Sequence, residues 1–304
     1  MSQKVIILCG GFSDEKEVSK KSSSAISGAL IDNGFNVELT DPVDFTSYSD
    51  LINYIKHKNP YIVFNGLHGA EGEDGRIQSV LSLEKIRFTG SKHTGSAIAM
   101  NKYVSTLIAQ SVAIPCPKQV LLNNNRNLSQ EEINFLDLPF IVKPNCNGSS
   151  VGVYIVKKSE DADQAVQEAF RFDHEVLCQQ FIPGRELTVS ILGQESMPVV
   201  EIVPHEGFYD YTNKYTKGKT NYICPAEFTE EQTHEVQQYA KKIFDACSCS
   251  VYCRVDFRFD GEHFYFLEIN TLPGMTELSL TPMSAKAAGL SFSELIKRII
   301  DLSL

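Results

Sequence analysis

The chain has 304 residues, of which 42% are hydrophobic and 22% charged, and its formal net charge is -10. This composition is typical of soluble globular proteins, and the length predicts two or three domains. The negative charge argues against nucleic acid or an anionic membrane surface as the main partner. No apolar run reaches membrane-spanning length, and the run at residues 5–9 is too short for a signal peptide. The eight cysteines therefore indicate reduced thiols in the cytoplasm.

The first ninety residues alternate strands with helices. Strands are predicted at residues 5–8, 36–39 and 61–65, and helices at 14–33 and 50–58. This alternation predicts a parallel α/β sheet, whose ligands bind beyond the carboxyl ends of the strands. Two glycine-rich segments, residues 10–15 and 66–75, follow the first and third strands. Neither contains G-x-G-x-x-G, so a dinucleotide site is only weakly supported. The second segment nevertheless has more glycines and charged residues than a plain connecting loop needs.

The middle of the chain combines a mostly helical segment with a strand–loop–strand unit. Residues 94–110 are predicted to be mostly helical and contain Lys102, and Pro115 and Pro117 mark a linker. A strand at 140–143 ends at Lys143 and runs into a Gly/Ser/Asn loop. The backbone N–H groups of such a loop can surround phosphates. It is not a Walker A loop, because the lysine precedes the glycines, and a flexible hairpin turn is the alternative.

The segment at residues 206–222 is rich in aromatic residues and lysines within an acidic protein. It has too many Gly, Asn and Thr residues for a regular element, and we interpret it as a lid over an anionic substrate. A solvated loop is the alternative. Upstream, Glu186 opens a strand predicted at 186–192, where it can accept hydrogen bonds from ribose hydroxyls or simply be solvated. Helices are predicted at 230–248 and 291–302.

Two alternating runs, residues 253–259 and 264–270, predict a hairpin with a polar face. Arg254 and Asp256 share one face of the first strand, and Glu268 and Asn270 share one face of the second. Two carboxylates and an amide oxygen are suitable ligands for a hard cation such as Mg2+. The alternative interpretation is an ordinary hairpin whose polar face is solvated. A two-residue turn would place Asp256 on the face opposite Glu268, so we predict an odd-length connection or a bulge. The nearby cysteines at 247, 249 and 253 lack metal-ligand spacing and are predicted to be buried small residues.

Four groups of residues together resemble those of the D-alanine–D-alanine ligase family. They are GGFSDEKEVS at 10–19, LHG and GEDG within 67–75, KP and GSSVG within 143–152, and RVD and EINTLPGMT within 254–276. They span nearly the whole chain in the family's order. The resemblance implies an α/β (α+β) ATP-grasp fold. An N-terminal Rossmann-like parallel-sheet domain at 1–90 would precede two ATP-grasp subdomains, at 91–180 and 181–304.

The resemblance also implies an activity. Two D-alanines would be joined to D-alanyl-D-alanine through an acyl phosphate, with ATP converted to ADP and phosphate, for peptidoglycan synthesis in the cytoplasm. ATP and two Mg2+ ions, replaceable by Mn2+, would be required. Members often form homodimers, and no nucleic-acid or membrane partner is implied. Two alternative functions are weighed against this one. Another ATP-grasp carboxylate–amine ligase would have no reason to keep Glu15 and Tyr215. A non-catalytic nucleotide-binding protein would be expected to lose a metal ligand.

Carried over position by position, the resemblance assigns roles to individual residues. The residues implied for ATP are Lys102, Lys143, Phe181, Ile182, Glu186 and Lys214, and those for metal are Asp256, Glu268 and Asn270. The residues implied for the two D-alanines are Glu15, His68, Ser279 and Leu280. The implied catalytic set is Glu15, Ser149, Tyr215, Arg254, Gly274 and Ser279, in which Arg254 and the Gly274 N–H face the oxyanion. The pair Gln179-Gln180 departs from the family, whose members usually carry an acidic and then a basic residue beside the adenine.

Overall fold

A computed structural model describes residues 2–148, 151–205, 220–276 and 279–304. The first sheet is parallel, with the strand order β2-β1-β3. Its strands are β1 (Lys4–Leu8), β2 (Asn36–Thr40) and β3 (Ile62–Asn65), and its helices are α1 (Lys16–Asp32), α2 (Tyr48–Lys58) and α3 (Arg76–Leu83). The apolar residues of β1 and β3 are fully buried because helices cover both faces of the sheet. The predicted parallel α/β sheet is confirmed.

Residues 94–110 are mostly helical, as predicted, and two helices occupy this segment. They are α4 (His93–Met100) and α5 (Lys102–Ser111), separated by Asn101 in an extended conformation. The Asn101 side chain accepts a hydrogen bond from the Val104 N–H at 2.9 Å and so caps the second helix. Lys102 is therefore the first residue of α5.

The second sheet is antiparallel, with the strand order β4-β7-β5-β6. Its strands are β4 (Gln119–Asn123), β5 (Phe140–Pro144), β6 (Tyr154–Val156) and β7 (Glu175–Gln180), and its helices are α6 (Gln130–Leu136) and α7 (Ala162–Ala169). One face carries Phe140, Val142 and Cys178 into a core beneath the two helices. The alternate positions, among them Lys143 and Gln179, consequently lie on the other face.

The third sheet has the order β11-β10-β8-β12-β13, with β9 paired to β8. Its strands are β8 (Arg185–Leu192), β9 (Glu195–Ser196), β10 (Val200–Pro204), β11 (Thr220–Ile223), β12 (Tyr252–Phe259) and β13 (Phe264–Asn270). Helices α8 (Glu230–Ala246), α9 (Leu280–Ala287) and α10 (Phe292–Leu302) complete the described elements, with short 3-10 turns at Pro42–Asp44 and Ser159–Asp161. Two helices pack outside their sequence neighbourhood. Helix α5 contributes Ala109 to the core of the third sheet, and α10 packs Ile296 with Ile26 of α1. The domain boundaries near 90 and 180 stay predictions.

The β12–β13 hairpin contains a bulge, as predicted. Phe259 pairs with Phe264 across a four-residue connection at 260–263, and Phe257 pairs with Phe266. A regular ladder would next pair Asp256 with Leu267. The register shifts here, and Asp256 pairs with Glu268. The two carboxylates therefore share a face of the sheet, and Arg254 lies opposite Asn270 on that face.

The cysteines beside this hairpin are core residues, as predicted. Cys247 and Cys253 are fully buried in the core of the third sheet, and all eight cysteines have free thiols. Burial raises the pKa of the Cys247 thiol to about 12, so it stays protonated near neutral pH. In the part of the chain that the structure describes, no helix has the length and apolar character to cross a bilayer.

Candidate active site

Two clefts meet on the polar side of the third sheet. The first lies between the second and third sheets and includes Lys143 and Glu186 in its wall. The second, of about 560 Å3, reaches from Glu15 in the turn before α1 to Ser279 at the start of α9. The residues that line both clefts are Lys102, Asn147, Gly148, Arg254 and Glu268. A ligand in the first cleft can therefore contact a ligand in the second at this junction.

The acidic pair at the junction is held by neighbours on the same face of the sheet. Asp256 is 8% exposed, and its carboxylate accepts hydrogen bonds from Arg254 Nε and Nη2, both at 2.9 Å. It also accepts one from Thr188 Oγ1 at 2.6 Å. Opposite it, Glu268 Oε2 lies 3.6 Å from Lys102 Nζ. Each carboxylate of this pair therefore faces a cationic side chain, Arg254 or Lys102.

The donor set at this pair fits Mg2+. In the described parts of the chain, no three His, Cys, Asp or Glu side chains are placed to hold a metal ion. The predicted set instead consists of Asp256, Glu268 and the amide oxygen of Asn270, which also accepts from the Leu272 N–H at 3.0 Å. Mg2+ is usually held by one or two carboxylates, with substrate phosphates and water completing its octahedron. The set therefore suits a cation that takes further ligands from a bound phosphate.

Two lysines supply positive charge to the clefts. Lys102 and Lys143 are each only 9% exposed. Lys102 Nζ donates to the Asn147 carbonyl at 2.6 Å, which ties α5 to the loop after β5. Lys143 Nζ donates to Gln179 Oε1 at 3.0 Å. An ammonium group has three donors, so each of these lysines can also bind an anionic ligand.

Arg258 was not singled out for a role from the sequence, yet it organises one wall of the first cleft. Its guanidinium donates to the Ile182 carbonyl at 3.1 Å, the Gly184 carbonyl at 2.9 Å and the Glu186 carboxylate at 3.2 Å. These bonds anchor the link between the second and third sheets. Thr188 was also assigned no role from the sequence. The alternation along β8 could have indicated one, because Glu186 and Thr188 must lie on the same face of the strand.

Glu15 lies between two loops that approach its carboxylate closely. It precedes the first turn of α1, so the helix begins later than predicted. A Cβ added to Gly69 or Gly148 would lie 2.9 or 2.8 Å from Glu15 Oε2. Glycine at both positions therefore allows the loops to close around this carboxylate. His68 is fixed nearby, with Nδ1 3.3 Å from Glu73 Oε1 and Nε2 3.4 Å from Ser22 Oγ.

The far end of the second cleft is the N-terminus of α9. Ser279 is the residue before the helix, and its Oγ accepts from the Thr276 N–H at 3.0 Å and bonds Thr276 Oγ1 at 2.8 Å. Gly274 approaches the same hydroxyl, because an added Cβ would lie 3.0 Å from it. Leu280 starts the helix and also lines the cleft. Helix N-termini bind anions through unsatisfied backbone N–H groups, so this end suits a carboxylate.

The structure thus brings most of the predicted site residues to two connected clefts. Those lining the first are Lys102, Lys143, Phe181, Ile182, Glu186, Arg254, Asp256 and Glu268. Those lining the second include Glu15, His68, Asn270, Gly274, Ser279 and Leu280. Ser149, Lys214 and Tyr215 lie outside the described residues, as does most of the predicted lid at 206–222.

Known proteins are similar to this chain over nearly its whole length. The family described as D-ala D-ala ligase C-terminus matches residues 108–301. The D-alanine–D-alanine ligase of Methylacidiphilum infernorum is 39% identical over 300 residues, which cover 98% of this chain and 95% of that protein. The chain belongs to the D-alanine–D-alanine ligase family. The predicted family is confirmed.

Solved structures of ligases share the fold. The D-alanine–D-alanine ligase of Bacillus anthracis superposes with a TM-score of 0.89 at 34% identity, covering 99% of this chain and 97% of that one. Its complex with ATP gives 0.88 at 31% identity and the same coverage. The VanG D-Ala:D-Ser ligase of Enterococcus faecalis gives 0.84 at 29% identity over the whole of both chains. The predicted ATP-grasp fold is confirmed.

Proposed function

We propose that this chain joins two D-alanines to D-alanyl-D-alanine with conversion of ATP to ADP and phosphate, for peptidoglycan synthesis. The observation that carries the proposal is the junction at Lys102, Arg254 and Glu268. The first cleft, with its lysines, is suited to a nucleoside triphosphate. The second has a carboxylate at one end and a helix N-terminus at the other, which suit the ammonium and carboxylate groups of amino acids. Their junction is where a phosphoryl group would meet a carboxylate.

The first step activates a carboxylate, which is by itself a poor electrophile. A carboxylate oxygen of the first D-alanine attacks the γ-phosphorus of ATP, ADP leaves, and an acyl phosphate results. Lys102 and Lys143 hold the phosphates and offset their charge. Mg2+ held by Asp256, Glu268 and Asn270 would neutralise further negative charge during the transfer. Two ions, replaceable by Mn2+, are our expectation.

In the second step the amine of the second D-alanine, having lost a proton, attacks the acyl carbon. The tetrahedral oxyanion is stabilised by Arg254 and the Gly274 N–H, and phosphate leaves as the peptide bond forms. Asp256 fixes the plane of the Arg254 guanidinium through two parallel hydrogen bonds, so its orientation is set before the charge develops.

The two D-alanines occupy opposite ends of the second cleft in this proposal. Glu15 and His68 bind the first, and by the family resemblance Glu15 would act together with Ser149 and Tyr215. Ser279 and the start of α9 at Leu280 bind the carboxylate of the second. Lys214 and the lid at 206–222 would close over the phosphates and exclude water, which would otherwise hydrolyse the acyl phosphate.

The test is a coupled assay of ADP release with D-alanine or L-alanine, with chromatographic identification of the product. We expect ADP release that depends on D-alanine and Mg2+, with one dipeptide formed per ADP. ADP release without dipeptide would contradict the proposal. D-serine and D-lactate should be included as second substrates, because the similar structure from Enterococcus faecalis is a D-Ala:D-Ser ligase.

We further propose a cytoplasmic homodimer. The eight free thiols suit a reducing compartment, and ATP is the phosphoryl donor. Light scattering after size-exclusion chromatography should give twice the chain mass of 33.9 kDa. A mass of one chain at micromolar concentration would refute the dimer.

A further inference from the structure

Asn145, a fully buried residue directly after β5, contacts the N-terminus of α5. The first N–H groups of a helix have no acceptor within the helix itself. Here the Lys102 N–H donates to the Asn145 carbonyl at 3.3 Å, and the Tyr103 N–H donates to Asn145 Oδ1 at 2.9 Å. The next N–H, that of Val104, donates to the Asn101 side chain. Asn145 therefore binds the first turn of α5 to the segment that follows β5.

Only one orientation of the Asn145 amide satisfies all of its neighbours. Its oxygen accepts from the Tyr103 N–H, which can only donate. Its nitrogen donates to Glu175 Oε2 at 2.8 Å and to Asn101 Oδ1 at 3.1 Å. An ionised carboxylate only accepts, so a reversed amide would set donor against donor and acceptor against acceptor. The Glu175 carboxylate thus fixes the orientation in which Asn145 contacts α5.

These hydrogen bonds join parts of the chain that belong to different sheets. Helix α5 packs Ala109 into the core of the third sheet. Glu175 begins β7 of the second sheet, and its carbonyl accepts from the Asn145 N–H at 3.0 Å. The first cleft lies between these sheets, and Lys102 and Lys143 enter it from α5 and from β5. The separation of the two ammonium groups therefore depends on the contact at Asn145.

We propose that Asn145 is a positioning residue that acts, with Glu175, through Lys102. It holds the Lys102 ammonium at the junction of the clefts, where this group can bind the phosphates of the same nucleotide as Lys143. The inference rests on the proposed use of the first cleft for ATP. Asn145 itself is fully buried and lines neither cleft, so its effect on a nucleotide is indirect.

An exchange of donor and acceptor between the two side chains tests this role. Asn145→Asp keeps the shape and the acceptor for Tyr103, but it places a second carboxylate against that of Glu175. Glu175→Gln alone keeps an oxygen that accepts from Asn145. In the double variant the introduced amide can donate to the introduced carboxylate, which restores the bond with its direction reversed. A hydrogen bond to a charged group is strong enough for its loss to change an equilibrium by about tenfold or more.

The experiment is a calorimetric titration of the whole chain with ATP and, separately, with AMP, with Mg2+ and without D-alanine. We expect Asn145→Asp to raise the dissociation constant of ATP by about tenfold or more, and that of AMP by at most about threefold. AMP is less affected because it lacks the β- and γ-phosphates. The double variant should bind ATP at least about fivefold more tightly than Asn145→Asp. Glu175→Gln should match the unaltered protein, and so should the control Asn134→Asp, which makes the same change at an exposed position of α6.

A purely structural role gives a different result. Equal weakening of ATP and AMP, or fewer binding sites per chain with unchanged dissociation constants, would overturn the proposal. A double variant that binds ATP no better than Asn145→Asp would also overturn it. If Asn145→Asp loses its native circular dichroism spectrum, Glu175→Leu provides the second test. It removes the acceptor that orients the amide, so it should weaken ATP more than AMP, and equal weakening would again refute the role.

Titration without D-alanine separates this inference from the proposed ligation. If the unaltered protein and Asn145→Asp bind ATP equally well, only the role of Asn145 is refuted. If the unaltered protein binds no ATP, the proposed function is refuted together with it.

Discussion

The replacement Glu268→Gln tests the metal site with little effect on stability. Glu268 lies opposite Asp256, and its Oε2 is 3.6 Å from Lys102 Nζ, with 29% of its side chain exposed. A partly exposed pair at this distance contributes about 1 kcal/mol or less to the free energy of unfolding. Glutamine keeps the shape and an oxygen that Lys102 can bind. We therefore expect a decrease in melting temperature of only about 2 °C.

The expected effect on turnover is much larger. Loss of one of two carboxylates that hold Mg2+ removes several kcal/mol of charge stabilisation during phosphoryl transfer, so kcat should fall by at least about 100-fold. ADP release at saturating Mg2+ and thermal unfolding measure the two quantities on the same sample. Glu262→Gln is the matched control, because it makes the same change on the same hairpin with 85% of the side chain exposed. Turnover near normal in Glu268→Gln would refute the metal assignment.

Three further predictions follow from local geometry. Gly148→Ala should displace the Glu15 carboxylate and raise the KM for D-alanine about tenfold or more. Gly28→Ala, whose added Cβ would meet nothing within 4 Å beyond its chain neighbours and the backbone of its own helix, should leave the KM unchanged; equal KM values for the two variants would contradict this role. Partial burial, with a smaller contribution from a nearby aspartate, raises the pKa of Cys146 to about 11, so alkylation followed by peptide mapping should be slow at pH 7.5 and rise towards pH 11; fast labelling at pH 7.5 would refute the raised pKa of this half-buried thiol. Ser291→Ala should cost about 1 kcal/mol in urea unfolding through loss of the α10 N-cap. Since that serine lowers the pKa of the capping-box glutamate, the loss should shrink as the pH falls below about 4.3, and a pH-independent loss would contradict the box.

Much of the fold could be predicted because its elements have strong local patterns. The buried strands β1 and β3 consist mainly of the apolar runs at 5–8 and 62–64, and β12 alternates strictly from Cys253 to Phe259, so their positions follow from residue types alone. The division between α4 and α5 could not be predicted, because its cause is a single residue. Asn101 breaks the first helix and caps the second, and the surrounding apolar pattern continues through it.

In the candidate site, too, the contacts between distant segments could not be predicted from local sequence patterns. Alternation could place Glu186 and Thr188 on one face, but the approach of Thr188 to Asp256 depends on the register between β8 and β12. The bonds from Arg258 to two backbone carbonyls depend on the path of the link at 181–184, which has no periodicity. Contacts that join distant segments are set by packing and not by local preference.

The bulge in β13 shows how one irregularity satisfies the core and the site together. Before it, the buried residues are Phe264 and Phe266; after it, the buried residue is Ile269. The buried positions therefore change from even to odd numbers, which no regular strand allows, because side chains alternate with a period of two. A regular strand that buried the two phenylalanines would have turned Glu268 towards the core. Its carboxylate would then have been desolvated without a partner, at a cost of several kcal/mol. The extra residue of the bulge lets the aromatic core of the hairpin and the carboxylate pair with Asp256 exist in one strand.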